Sequence, residues 1–291
     1  MSKRVEALLE HLSLEKIEEN LYRGQSKDLG WGRVYGGQVL AQGIGAAAET
    51  LPADRRIHSM HAYFLLGGDT KVPVLYDVNR SRDGGSFNTR FVQAIQHGRP
   101  ILTMSASFQR VEPGFEHQDE MPDVPAPEDV ERDEDRHRRL LASMPHIKAS
   151  DVYIETPFEI RTIDDIDHPV HPTPKPPQRM YWIRASSPLP DDFHTHAKAL
   201  AYFSDHSFLT TALQPHGVAF MTPGMQLASI DHSMWFHSEF RIDDWLLYVI
   251  ESPAAAGARA LVRGRVFTRD GRLVVTTAQE GLIRRSERKA R

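Results

Sequence analysis

Three side chains able to do chemistry occur in one half of this chain and lack counterparts in the other. Asp205 stands at a helical spacing from Ala201, Phe208, Leu209 and Ala212, which puts its carboxylate on the apolar stripe of a predicted helix. Gln279 ends the alternating series Leu273, Val275, Thr277, on the strand face expected to pack inward. Ser229 lies just ahead of another alternating stretch, Ile230 to His237. The set offers one proton acceptor and two hydrogen-bonding groups. Left unpaired on a buried face, each costs about 1–3 kcal/mol, so they are expected to pair with one another or with a ligand. A lone Asp of this kind ordinarily satisfies a backbone amide. Three such groups in one half and none in the other point to function.

The comparison rests on an internal repeat. His58-Ser59-Met60 reappears as His232-Ser233-Met234. After the first copy come Tyr76, Gly85 and a strand pair closed by His97-Gly98-Arg99; after the second come Tyr248, Gly257 and a pair closed by Asp270-Gly271-Arg272. A helix-like segment precedes each copy, one beginning at Gly36-Gly37, the other running from about Asp191 to Leu213. A shared order of helix, strand, glycine and hairpin marks a duplication. In the first copy Arg55 stands where Ser229 does, Ala106 stands for Gln279, and the helix carries no Asp.

These residues need elements to hold them. Val5 to Leu14 predicts a short helix and Glu15 to Gly24 a strand. Gln38 to Leu51, with Val39, Leu40, Ile44, Ala47, Ala48 and Leu51 on one stripe among Gly and Ala, predicts a helix held closely by a sheet. Gly36-Gly37 at its start can turn backbone N–H groups toward a negative oxygen. Strands follow at Ile57–Leu66, Val72–Arg82, Ser86–Gln96 and Pro100–Arg110, joined at Gly67-Gly68, Gly84-Gly85 and Gly98. A helix laid along a meander of strands is an α+β pattern. Then composition shifts: 13 of the 19 prolines fall between Pro113 and Pro190, with acids dominating Glu128–Asp135. The reading is an extended connection over Pro113–Pro127, a solvated helix over Glu128–Leu141, strands at Phe158–Ile163 and Tyr181–Arg184, and a surface excursion at His168–Pro177. The resulting division is residues 1–112, a linker over 113–152, and 153–291 carrying the candidate site.

Bulk properties exclude several classes. A net charge of −4 gives no electrostatic reason to expect nucleic acid. The absence of Cys removes disulfides, thiolate nucleophiles and thiolate zinc sites, and fits a reducing cytoplasm. No apolar run approaches ~20 residues, so no membrane span is expected. The N-terminus lacks a secretory signal and the C-terminus a peroxisomal address. The 15 His form no tight ligand set; His58/His61 and His232/His237 are outside metal candidates, and His232 reads as a hydrogen-bonded core residue. Neither a nucleophile elbow nor a P-loop is present, and the basic tail Arg284–Arg291 reads as disordered.

The strings Val34-Tyr35-Gly36-Gly37-Gln38-Val39, Ala106-Ser107-Phe108-Gln109, Phe115-Glu116-His117-Gln118, Leu213-Gln214-Pro215-His216-Gly217, Ile230 to His237, and Gln279-Glu280-Gly281 resemble acyl-CoA thioesterase II over essentially the whole chain. The resemblance implies a double hot-dog fold, in which each half wraps an antiparallel sheet around a long helix. It implies catalytic roles for Asp205, Ser229 and Gln279, with Ser229 standing where some members carry Thr. Asp205 would then activate water for attack on a thioester while Ser229 and Gln279 hold that water. Direct attack by Asp205 is the alternative route. Backbone N–H groups of Gly37 or Gln38 are the expected oxyanion donors. The substrate implied is medium- or long-chain acyl-CoA, with no cofactor and no metal, and the protein is expected to be a homo-oligomer. Rival readings are a hot-dog enoyl-CoA hydratase or dehydratase and a non-catalytic acyl-CoA binder. The hydratase string Asp-x-Asn-Pro-x-x-x-His does not occur here.

Overall fold

The computed structural model describes residues 1–30, 32–143, 156–164 and 172–286. A short helix α1 (Lys3–Leu12) leads into strands β1 (Glu15–Glu18) and β2 (Leu21–Gly24). These are two strands where one was expected, because Asn20 turns the chain at φ 64°. Helix α2 (Gly36–Ala48) follows, then β3 (Arg55–Phe64), β4 (Val74–Asp83), β5 (Phe87–Gln96) and β6 (Arg99–Arg110). Past the connection and helix α3 (Asp133–Ala142) come β7 (Phe158–Thr162), β8 (Gln178–Ala185) and helix α4 (Phe193–Ser204). The chain ends with β9 (Met225–Ser229), β10 (Asp231–Phe236), β11 (Leu246–Ala256), β12 (Arg259–Thr268) and β13 (Leu273–Arg285).

All the strands join one antiparallel sheet in the order β1-β2-β4-β5-β6-β3-β10-β13-β12-β11-β8-β7, with β9 on β13. Read inward from its two edges, the sheet gives the same pattern twice. The halves meet where β3 pairs with β10, and there Met60 lies opposite Met234. The repeated triplets run antiparallel across that seam, which is the double hot-dog expected from the resemblance. Helices α2 and α4 lie side by side against the inner face. They come so close that a Cβ on Gly37 would sit 2.2 Å from the Tyr202 carbonyl oxygen. Glycine is required there by contact, not by conformation.

Three further sequence expectations change. The second helix was expected to continue toward Leu213, but it stops at Ser204. Ser207 adopts φ 55°, and a 3₁₀ segment resumes at Leu209–His216. The polar run Ser204-Asp205-His206-Ser207 competes with helical hydrogen bonding, which explains the break. The connection is not merely a solvated spacer. Val130 packs with Trp182, Trp245, Leu247 and Phe267 on the outer face of the second half, with Met121 and Val124 beside them. Trp182 Nε1 donates to the Pro125 carbonyl at 2.9 Å, and buried Asp133 accepts from the Thr162 amide at 2.7 Å. The apolar pairing is long-range, and the charge run concealed it. Arg284 and Arg285 belong to β13, against the disordered tail expected over Arg284–Arg291, and the part of that tail from residue 287 on lies outside the described residues. The expected boundary at 152/153 and residues 168–171 of the His168–Pro177 excursion lie outside the described residues, while residues 172–177 are neither helix nor strand.

Candidate active site

The helix break places Asp205 at the C-cap of α4, not on its apolar stripe. From there the carboxylate faces the first turn of α2. A Cβ on Gly36 would stand 2.6 Å from Asp205 Oδ2 and 2.9 Å from the Phe64 ring. That turn has no side-chain N-cap and no acidic residue of its own, so its amides are open to an anion from elsewhere. Gly37 N–H donates to the Asp205 carboxylate. The Gln38 amide turns instead to the Tyr35 carbonyl at 3.1 Å. Its side chain donates to the Gln25 carbonyl at 2.9 Å, inside the first half.

The other two residues arrive on β9 and β13. Ser229 ends β9, which pairs with β13 through Ser229 opposite Gly281. Its hydroxyl donates to Asp205 Oδ1 at 3.2 Å. Gln279 is fully buried on β13 and donates through Nε2 to the same oxygen at 3.0 Å. Asp231 tightens this corner by accepting the Glu280 N–H at 2.6 Å. Residues 24 and 74 positions away in sequence thus converge on one carboxylate oxygen.

Burial pushes the Asp205 pKa up to about 6, while the hydrogen bonds from Gln279, Ser229 and Gly37 pull it down. Burial wins, because it disfavours the ionised form more than three donors favour it. A carboxylate poised near neutrality, held by donors and beside a helix N-terminus, can accept a proton from water. Among the described residues no group of three or more His, Asp or Glu is placed to hold a metal ion.

The corresponding place in the other half is filled. Counting out from the Met60–Met234 pair, Ala106 matches Thr277, so Phe108 occupies the position of Gln279. The sequence comparison had matched Ala106 to Gln279, two residues out of register. A β-bulge between Ile57 and Ser59 shifts β3, and a one-residue bulge reverses the faces beyond it. His58 therefore bonds Ser107 at 2.8 Å, whereas its repeat His232 is buried against Ser204. At the start of α4, Phe193 and His194 stand where α2 has Gly36 and Gly37, and Asp192 caps the helix from within its own chain segment. Phe108 and His194 meet edge to face with centroids 6.0 Å apart. Arg55 is buried on Asn88 and the Gly85 carbonyl. Two rings and a capped helix leave no equivalent of the Asp205 corner.

Similarity to known proteins covers both halves. Residues 26–109 match the acyl-CoA thioesterase N-terminal domain and residues 159–282 match acyl-CoA thioesterase. The chain is 44% identical to acyl-CoA thioesterase 2 of Haemophilus influenzae, over 99% of this chain and 100% of that one. It is 42% identical to acyl-coenzyme A thioesterase 8 of Homo sapiens, over 94% and 87% respectively. Among solved structures, an acyl-CoA thioesterase II from Mycobacterium marinum superposes with TM-score 0.78 at 39% identity, covering 96% of this chain and 98% of that one.

Proposed function

The chain belongs to the acyl-CoA thioesterase family and hydrolyses acyl-CoA thioesters, and on that premise we propose that Asp205 is the general base, with Ser229 and Gln279 holding the attacking water. The observation that carries this reading is the convergence of the Ser229 hydroxyl and the Gln279 amide on Asp205 Oδ1. Water enters among these groups. Asp205 takes its proton as oxygen attacks the thioester carbonyl, and the hydrogen bonds fix the angle of approach. The developing oxyanion is stabilised at the start of α2. Of Gly37 and Gln38, the Gly37 amide is favoured, since it already faces the Asp205 carboxylate and can exchange that partner for the oxyanion, whereas the Gln38 amide turns back to Tyr35 within its own helix turn. Such a donor typically contributes about 2.7–4 kcal/mol to the transition state. Collapse of the tetrahedral intermediate expels the CoA thiolate, which takes up a proton, and leaves the carboxylic acid.

The acyl chain is proposed to be medium or long, lying in the apolar seam between helices and sheet; a panel of acyl-CoA substrates with thiol release as readout tests this. Turnover confined to short acyl groups would exclude it. The same assay separates hydrolysis from hydration, which releases no thiol, and from binding alone. We also place the protein in the cytoplasm, on the complete absence of Cys. Association into homo-oligomers is supported by exposed Tyr63 and Trp235 on the outer face of the seam, and light scattering of the purified protein measures it. The division into 1–112, 113–152 and 153–291 is proposed on the end of β6 at Arg110 and the separate packing of the connection.

A further inference from the structure

A carboxamide has two unlike ends, and Gln279 serves the site only if its NH₂ faces Asp205. Its oxygen turned toward an ionised carboxylate would repel it. Something must hold the other end. The β10–β13 ladder pairs Met234 with Thr277 and Ser233 with Ala278, so the next position sets His232 opposite Gln279. Both are fully buried, on the inner face. Opposed residues in an antiparallel pair have Cβ atoms about 4.5–5.5 Å apart, within reach of a hydrogen bond between these side chains. His232 Nδ1 and Gln279 Oε1 are both buried, and neither makes an aligned hydrogen bond to any described residue. On its far side His232 Nε2 lies 2.8 Å from the hydroxyl of Ser204, the residue preceding Asp205. That hydroxyl is also 2.9 Å from the Ala201 carbonyl.

Burial pushes the His232 pKa down to about 4, so the ring is neutral and carries one N–H. Two tautomers follow. With the proton on Nδ1, the ring donates to Gln279 Oε1 and accepts the Ser204 hydroxyl proton at Nε2. With the proton on Nε2, it donates to Ser204, whose own proton goes to Ala201. The bare Nδ1 then faces the lone pairs of Gln279 Oε1, and the amide is pressed to flip. Only the first tautomer satisfies every buried atom while leaving the Gln279 NH₂ on Asp205.

We propose that His232, backed by the Ser204 hydroxyl, is a positioning residue that fixes which end of the Gln279 carboxamide faces Asp205. The inference rests on the reading that Gln279 holds the water, and the test separates the two. In His232→Asn the side-chain amide takes the place of Nδ1–H; in His232→Leu no donor remains. With acyl-CoA hydrolysis as the assay, His232→Leu is expected to lower kcat about 10–100-fold with KM nearly unchanged, and His232→Asn to recover most of it. In a Gln279→Ala background His232→Leu is expected to add nothing, since the two act as a unit. Equal losses for Leu and Asn, or independent losses in the double variant, overturn the proposal. So does a wild-type rate for His232→Leu when Gln279→Ala is slow. A wild-type rate for Gln279→Ala itself overturns the underlying reading instead. Should the Leu variant not fold, nitrogen NMR of the wild-type protein decides: Nδ1–H supports the proposal and Nε2–H ends it.

Discussion

At the scale of single residues, the proposed role of Asp205 as base sets reactivity against stability. Its pKa, raised to about 6 from 3.8, means that the folded state holds a proton which the unfolded chain has already released. The stability tied to that proton is complete below about pH 4 and is lost as pH rises through 6, amounting to roughly 2–3 kcal/mol at neutrality. Asp205→Asn is therefore expected to melt higher than wild type at pH 7.5, with the gap closing toward pH 4. A variant that melts lower at pH 7.5 contradicts the burial argument. Wild-type kcat should fall as pH drops through about 6, because Asp205 in the proposed role of base must be ionised to act. For Ser229, Thr keeps the hydroxyl and should retain turnover within a few-fold, whereas Ala should lose about 10–100-fold; equal rates for the two would remove the hydroxyl from the account. Gln279 and Ser229 were legible in the sequence as polar types beside alternating strands in one copy only, whereas Asp205 was picked out by a helical spacing that the structure replaces with a C-cap position. Their convergence on one oxygen was not legible, since no local pattern reports a contact between positions 205 and 279.

At the scale of elements, the close crossing of α2 and α4 sets the site. Gly37→Ala would drive a Cβ into the Tyr202 carbonyl, a backbone atom that cannot step aside. Forcing the helices apart is expected to destabilise the protein by about 1–3 kcal/mol. A denaturant titration with a midpoint equal to wild type would contradict the packing. Helices, strands and turns were mostly readable from period and glycine spacing. Two departures lie in features the apolar pattern does not carry, a local backbone turn and a strand register. Ser207 in a left-handed conformation ended α4 early, and β6 pairs with β3 two residues away from the register the hairpin match implies, so the mirror of Gln279 is Phe108 and not Ala106. A slide of two residues keeps every side chain on its own face, so an alignment built on the alternating pattern cannot detect it.

For the whole molecule, duplication was visible in the sequence, while the way the connection folds back was not. Its apolar contacts are few and widely spaced, and become a cluster only when Trp182, Trp245 and Phe267 line up on adjacent strands. Trp182→Ala should cost about 3–5 kcal/mol and lower the melting temperature while leaving KM for acyl-CoA near wild type. The doubled sheet has two pseudo-equivalent corners, one with Asp205 against open glycines and the other filled by Phe108, Phe193 and His194. If only one corner works, a single substitution must silence the chain. The direct measurement is the rate of thiol release by folded Asp205→Asn at saturating acyl-CoA. A fall of about 10²–10⁴-fold is expected for loss of a general base. A rate within tenfold of wild type, from a protein that melts cooperatively, would mean that a different group, or the second corner, does the work.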